Sequence, residues 1–143
     1  MKQKKLFFIF IIFMLVQCVT IPAYCREIQV NQLPKQVTAF VTKNFPGKKV
    51  IYAGRQFKGY KVILNNGTKI VFDTQGAWDK VNCKAEAVPN NLVPSAISKY
   101  VKSHFAGSKI TEIKMVRNGY NVELSNKLEM QFDRTGAFCG FGD

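Results

Sequence analysis

Apolar residues recur along this chain in two rhythms, each used twice. Val37, Phe40, Val41 and Phe45 fall three or four places apart, as do Ile97, Tyr100, Val101 and Phe105. Each set predicts a helix of about three turns with one apolar stripe. Pro34 and Pro94 suit the first helical turn, where a missing N–H costs nothing. Pro46 with Gly47 stops the first helix, and Gly107 offers a left-handed cap to the second. The spacing then shortens to two. Tyr60, Val62, Leu64, Ile70 and Phe72 alternate with Lys61, Ile63, Lys69, Val71 and Asp73 on either side of "NNG", a hairpin signal. Tyr120, Val122, Leu124, Leu128, Met130 and Phe132 alternate with Asn121, Glu123, Glu129 and Gln131, so one set faces a helix and the other faces away. "DTQG" and "DRTG" form the next turns and return Trp78 and Phe138 into a final strand. With an earlier strand near Val50 to Arg55 and its partner near Ile110 to Arg117, each half reads as one helix and a four-stranded antiparallel meander.

The two halves are one pattern repeated. Leu33 laid on Val93 aligns them without a gap as far as Trp78 on Phe138, at a constant offset of 60 residues. Pro34 meets Pro94, Gly59 and Tyr60 meet Gly119 and Tyr120, and Phe72, Asp73, Gly76 and Ala77 meet Phe132, Asp133, Gly136 and Ala137. Matches of this kind report backbone geometry and core filling, so what is shared is a fold. One unit is too small to bury a core alone, whereas two side by side can. The expected class is α+β: two tandem helix-plus-meander repeats forming one extended curved sheet, with helices on one face and the other face open. The expected boundaries are a leader over residues 1–25, a first repeat over 26–83, a polar linker over 84–91 and a second repeat over 92–143.

The leader reading rests on Lys2, Lys4 and Lys5 ahead of an apolar run from Leu6 to Val16, too short to span a bilayer as a stable helix. Ala23 and Cys25 supply small residues for cleavage before Arg26, and cleavage after Ala23 is the near alternative. The processed chain then has no transmembrane helix and is exported, periplasmic or secreted. A lipid anchor on Cys18 or Cys25 is the rival, disfavoured by the bulky Gln17 and Tyr24 before them. Cys83 and Cys139 remain in a compartment where disulfides persist. They form either a single bridge or two separate, half-buried thiols.

From Arg26 onward the chain carries 18 basic and 9 acidic side chains, a net charge of +9. The excess is uneven, +7 over residues 26–83 and +2 over 84–143. Such a field favours an acidic partner or an anionic surface, and equally serves solubility.

Catalytic and metal chemistry find little to work with. His104 is the one histidine, so no triad or histidine metal site can be assembled. Asp73 and Asp133 are explained as turn formers. No glycine loop of the phosphate-binding kind occurs, and no cofactor is expected. Nucleic acid is a poor candidate for an exported chain without a recognised binding motif. What stands out is the open face of the first repeat. There Ile63 and Val71 share a side with Lys61 and Lys69, with Tyr52 joining them, to give an apolar centre and a cationic rim. Trp78 is the candidate anchor of that patch, although its equivalence to Phe138 argues for packing.

The segments "VPNNLVPSAISKYVKSHF", "GYNVELSNKLEMQFDRTGAF" and "GYKVILNNGTKIVFDTQGAWDKVNC" closely resemble the exported bacterial PepSY-like family, which is similar in fold to β-lactamase inhibitor proteins. The likeness covers Ile28 to Asp143. It implies tandem units sharing a curved sheet whose concave side is free. In the inhibitor proteins that side grips a target enzyme, and PepSY domains are linked with restraining peptidases. The resemblance brings no functional residue over by motif. Lys127, where the first repeat has Gly67, departs from the pattern and leaves the second hairpin's turn type open. The expected function is a non-catalytic binding module that inhibits or regulates another extracytoplasmic protein. The alternative is an electrostatic module binding acidic glycan or an anionic envelope surface through the basic first repeat.

Overall fold

A computed structural model describes residues 25–142. The expected leader, its cleavage and the Cys18 anchor lie outside the described residues. The strands are β1 (Arg26–Glu27), β2 (Val50–Gln56), β3 (Gly59–Leu64), β4 (Lys69–Phe72), β5 (Trp78–Asn82), β6 (Ile110–Val116), β7 (Gly119–Leu124), β8 (Glu129–Asp133) and β9 (Phe138–Phe141), and the helices are α1 (Lys35–Asn44) and α2 (Ser95–His104). A short 3-10 turn precedes each helix, at Val30–Gln32 and Asn90–Leu92, again 60 residues apart. All nine strands belong to one antiparallel sheet in chain order. The repeats therefore merge where β5 pairs with β6, with Lys80 opposite Lys114, Val81 opposite Ile113 and Asn82 opposite Glu112. No described helix is long and apolar enough to cross a membrane.

Period sets the elements, and burial follows it. Val37 and Val41 of α1 and Ile97 and Val101 of α2 are buried, one turn apart on each helix. They join Val62, Leu64, Ile70, Phe72 and Val81 of the first repeat and Ile113, Val122, Leu124, Met130 and Phe132 of the second in one core. Full burial of each larger side chain contributes about 1.5–3 kcal/mol. Phe40 meets the edge of Phe72, and Tyr100 that of Phe132, so each helix keys onto the same place in its own repeat. Pro34 and Pro94 stand one place earlier than expected, as N-caps with extended ψ of 144° and 137°, and their carbonyls accept the first helical bonds.

The repeated Gly-Tyr pair has a steric cause. Gly59 and Gly119 open β3 and β7 with φ of +138° and +153°, and a Cβ there would drive into the Phe72 or Phe132 carbonyl oxygen. The second hairpin keeps the first one's turn despite Lys127, which takes φ +70° where Gly67 has +84°.

The segment over residues 84–91 is tied down along its length. Val88 is buried and donates its N–H to Ile110 O at 2.8 Å, Glu86 accepts from Asn66, and Asn91 donates to Asn44 Oδ1 at 2.6 Å.

Candidate binding face

With both helices on one side, the outward residues of the sheet form two adjoining rows. In the first, Tyr52 lies opposite Ile63, Ile63 opposite Lys69, Lys69 opposite Asn82 and Asn82 opposite Glu112, after which the row continues through Glu123 to Glu129. In the second, Gly54 lies opposite Lys61, Lys61 opposite Val71, Val71 opposite Lys80 and Lys80 opposite Lys114. Five of the six residues singled out from sequence are thereby contiguous. Ile63 and Val71 are half-buried between their lysine neighbours, and Lys69 is exposed.

Trp78 is not among them. It stands opposite Phe72, its ring 6.4 Å from that of Phe40, packed against the core on the helix side. The reason is a register shift between Val71 and Phe72, which inserts Asp79 as an extra residue in β5. Alternation counted back from the buried Val81 would send Trp78 outward, and the bulge turns it in. Phe138 is placed the same way opposite Phe132, by a matching shift.

Nor do Cys83 and Cys139 bridge. Both thiols are free, Cys83 buried at the end of β5 and Cys139 exposed on β9. Four strand steps at the usual spacing separate those strands by roughly 19 Å, far beyond disulfide reach. Burial pushes the Cys83 thiol pKa up. A third free thiol, Cys25, meets the Tyr52 hydroxyl at 3.0 Å, and that hydrogen bond is the main cause of the raised Tyr52 pKa. Processing before Arg26 would release Tyr52 from this contact. Beyond Cys25, the segment from Arg26 starts as an edge strand on β2 and does not cover the patch.

The structure adds residues that sequence reading passed over. Lys80 extends the cationic strip onto β5, and it and the neighbouring Asn82 are both held by Glu112, the lysine at 2.7 Å. Beyond them Glu112, Glu123 and Glu129 face one another on three successive strands, so the open face is basic at one end and acidic at the other. A groove of about 210 Å³ lies along this acidic stretch, lined by Lys80, Glu112, Asn121, Glu123, Glu129 and Gln131 among others. The alternation in "VELSNKLEM" placed Glu123 and Glu129 outward, but their alignment with Glu112 depends on the register of three strands. Phe57, at the β2–β3 turn, and Ile51, in the β2 bulge, are also strongly exposed, at 87% and 65%.

His104 stacks on Tyr100 at 4.1 Å, and its Nδ1 meets the Tyr100 carbonyl at 2.9 Å. Asn44 bonds the Phe40 carbonyl from the equivalent place, so both side chains serve the helix end. Asp73 and Asp133 each accept two backbone N–H bonds within their own turns, from Gln75 and Ala77 and from Thr135 and Ala137. No group of three or more His, Cys, Asp or Glu side chains placed to hold a metal occurs among the described residues.

Three solved structures share this architecture. A "putative calcium-regulated periplasmic protein" from Bacteroides thetaiotaomicron is 33% identical, with 83% of this chain and 97% of that one covered and a TM-score of 0.77. A "putative periplasmic protein of unknown function" from Bacteroides vulgatus is 34% identical, with coverage of 83% and 99% and a TM-score of 0.78. A second putative periplasmic protein from Bacteroides vulgatus is 38% identical, with coverage of 83% and 97% and a TM-score of 0.77. No curated protein matches the chain. The family model described as "Putative beta-lactamase-inhibitor-like, PepSY-like" matches residues 21–62 and 58–139. This chain belongs to that PepSY-like, beta-lactamase-inhibitor-like family.

Proposed function

We propose that this chain is a non-catalytic, exported binding protein whose open sheet face docks onto another extracytoplasmic protein and inhibits or regulates it. One observation carries the reading: Tyr52, Lys61, Ile63, Lys69 and Val71 adjoin one another on the face away from both helices. A rigid antiparallel sheet with one solvated side presents such a patch without moving parts. The row from Tyr52 to Glu112 crosses four strand steps, roughly 19 Å, and with the adjoining row supplies a large part of the roughly 800 Å² per partner that a standard interface uses. The sign change along the face favours a protein of complementary charge. A uniformly anionic glycan or envelope surface would be repelled by Glu112, Glu123 and Glu129.

The test is capture of a partner from periplasmic extract on the immobilised full chain. A discrete protein retained at about 0.3 M salt, and lost on Ile63→Asp, supports the reading. Binding to envelope material that disappears at that salt, yet survives combined Ile63→Ala and Val71→Ala, would establish the electrostatic alternative instead. Capture of neither overturns both.

A further inference from the structure

The two ends of the sheet are guarded unequally. At one end β1 is two residues long and both are charged, Arg26 and Glu27. Short, charged strands are the usual protection of an exposed sheet edge. At the other end β9 has the sequence Phe-Cys-Gly-Phe, with no charge and no proline, and Phe141 is 56% exposed. Among the described residues, no strand pairs with the outer side of β9.

The internal repeat shows what such an edge accepts. β9 lies on β8 as β5 lies on β4, each with the same register shift, so their outer edges are equivalent. The edge of β5 is covered by β6, an antiparallel strand.

We propose that β9 pairs antiparallel with β9 of a second copy, about a two-fold axis normal to the sheet, to give one continuous eighteen-stranded sheet with all four helices on one side. A second copy is favoured over a foreign strand on two grounds. Only one edge of the sheet is unprotected, and an isologous contact uses the same strand from both partners. The pairing also joins the halves of net charge +2 and leaves the +7 halves at the far ends, where their repulsion is least. Phe141, whose ring packs against Phe138 and Phe105 on the helix side, then meets apolar surface of its mate.

Sedimentation of the full chain across a range of concentrations tests this. Twice the chain mass is expected, falling toward the single mass with Phe141→Lys and independently with Cys139→Lys, each by at least about tenfold in dissociation constant because a charge now lies on the pairing edge. Phe57→Lys, at a more exposed but remote phenylalanine, should leave the dimer intact, and circular dichroism should show all three variants folded. In a background with both Cys18→Ser and Cys25→Ser, a short bismaleimide should join two chains through Cys139. A single-chain mass at every concentration, or a dimer indifferent to both edge lysines, overturns the proposal. So does a dimer that Tyr52→Asp abolishes, since it would use the open face.

Discussion

Lys80 Nζ lies 2.7 Å from a carboxylate oxygen of Glu112, and this pair fastens the last strand of the first repeat to the first strand of the second. Asn82 donates to the other oxygen of the same carboxylate. Lys80 also stands directly opposite Lys114, a like-charge pairing that costs stability across strands. Glu112 offsets it. Replacing Glu112 by Ala should therefore destabilise the protein by about 0.5–1 kcal/mol at low salt, with most of the difference gone near 1 M salt. Urea unfolding at the two salt concentrations checks this, and an unchanged midpoint at low salt would show the pair to be idle.

Gly59 and Gly119 admit no side chain, because the obstructing atoms are backbone carbonyl oxygens that cannot rotate away. Alanine at either should cost more than about 2 kcal/mol. Lys127→Gly should act in the opposite direction. It relieves a left-handed backbone at φ +70° and gains about 0.5–1 kcal/mol. The exposed Lys127–Glu123 pair lost with it is worth only a few tenths. Melting curves of the three variants should place the lysine variant above the parent and both alanine variants well below it.

Cys83 is 3% exposed, and its burial-raised pKa keeps it as the unreactive thiol. In the native protein maleimide should modify Cys139, and Cys25 where it is retained, but Cys83 only after denaturant is added. Beside Cys83 lies Thr68, a fully buried residue whose hydroxyl has no partner better than that thiol, a weak one. Thr68→Val should stabilise by about 1 kcal/mol, read by denaturant midpoint.

Two aspartates should shape the acid limb of stability in opposite senses. Desolvation, aided by the nearby Asp73 charge, raises the Asp79 pKa above its usual 3.8, so the folded state takes up that proton first and Asp79 loses stability as pH rises through the window above 3.8. Hydrogen bonds from Thr135 and from the Ala137 N–H lower the Asp133 pKa. Its contribution is present above 3.8 and is lost as pH falls through the lower folded value. Carboxyl NMR titration should find Asp133 ionising at lower pH than Asp79. Asp79→Asn should raise the melting temperature at pH 7 and have little effect below pH 3.

Much of this protein is legible in its residues because the relevant forces are local. The i, i+4 spacing of Val37 with Val41 and of Ile97 with Val101 fixes which helix side is buried. Alternation from Tyr60 to Leu64 and from Tyr120 to Leu124 fixes which side of each strand is buried, whatever the neighbouring strand does. The 60-residue period announces that both halves solve the same packing problem. Alternation within the first repeat also put Tyr52, Lys61, Ile63, Lys69 and Val71 on a shared face.

Register is the part that only tertiary structure decided, since it is settled between neighbouring strands and not within any one of them. A one-residue bulge at Asp79 turned Trp78 from a surface anchor into a core ring, and no local pattern marks that insertion. Pairing between strands likewise aligned Glu112, Glu123 and Glu129, set Lys80 beside Glu112, and kept Cys83 four strands from Cys139. Sequence determined the two modules and their buried faces because side-chain burial follows backbone period. The register in which the strands meet, and hence what the open face and the β9 edge offer another molecule, came from contacts that exist only once the chain has folded.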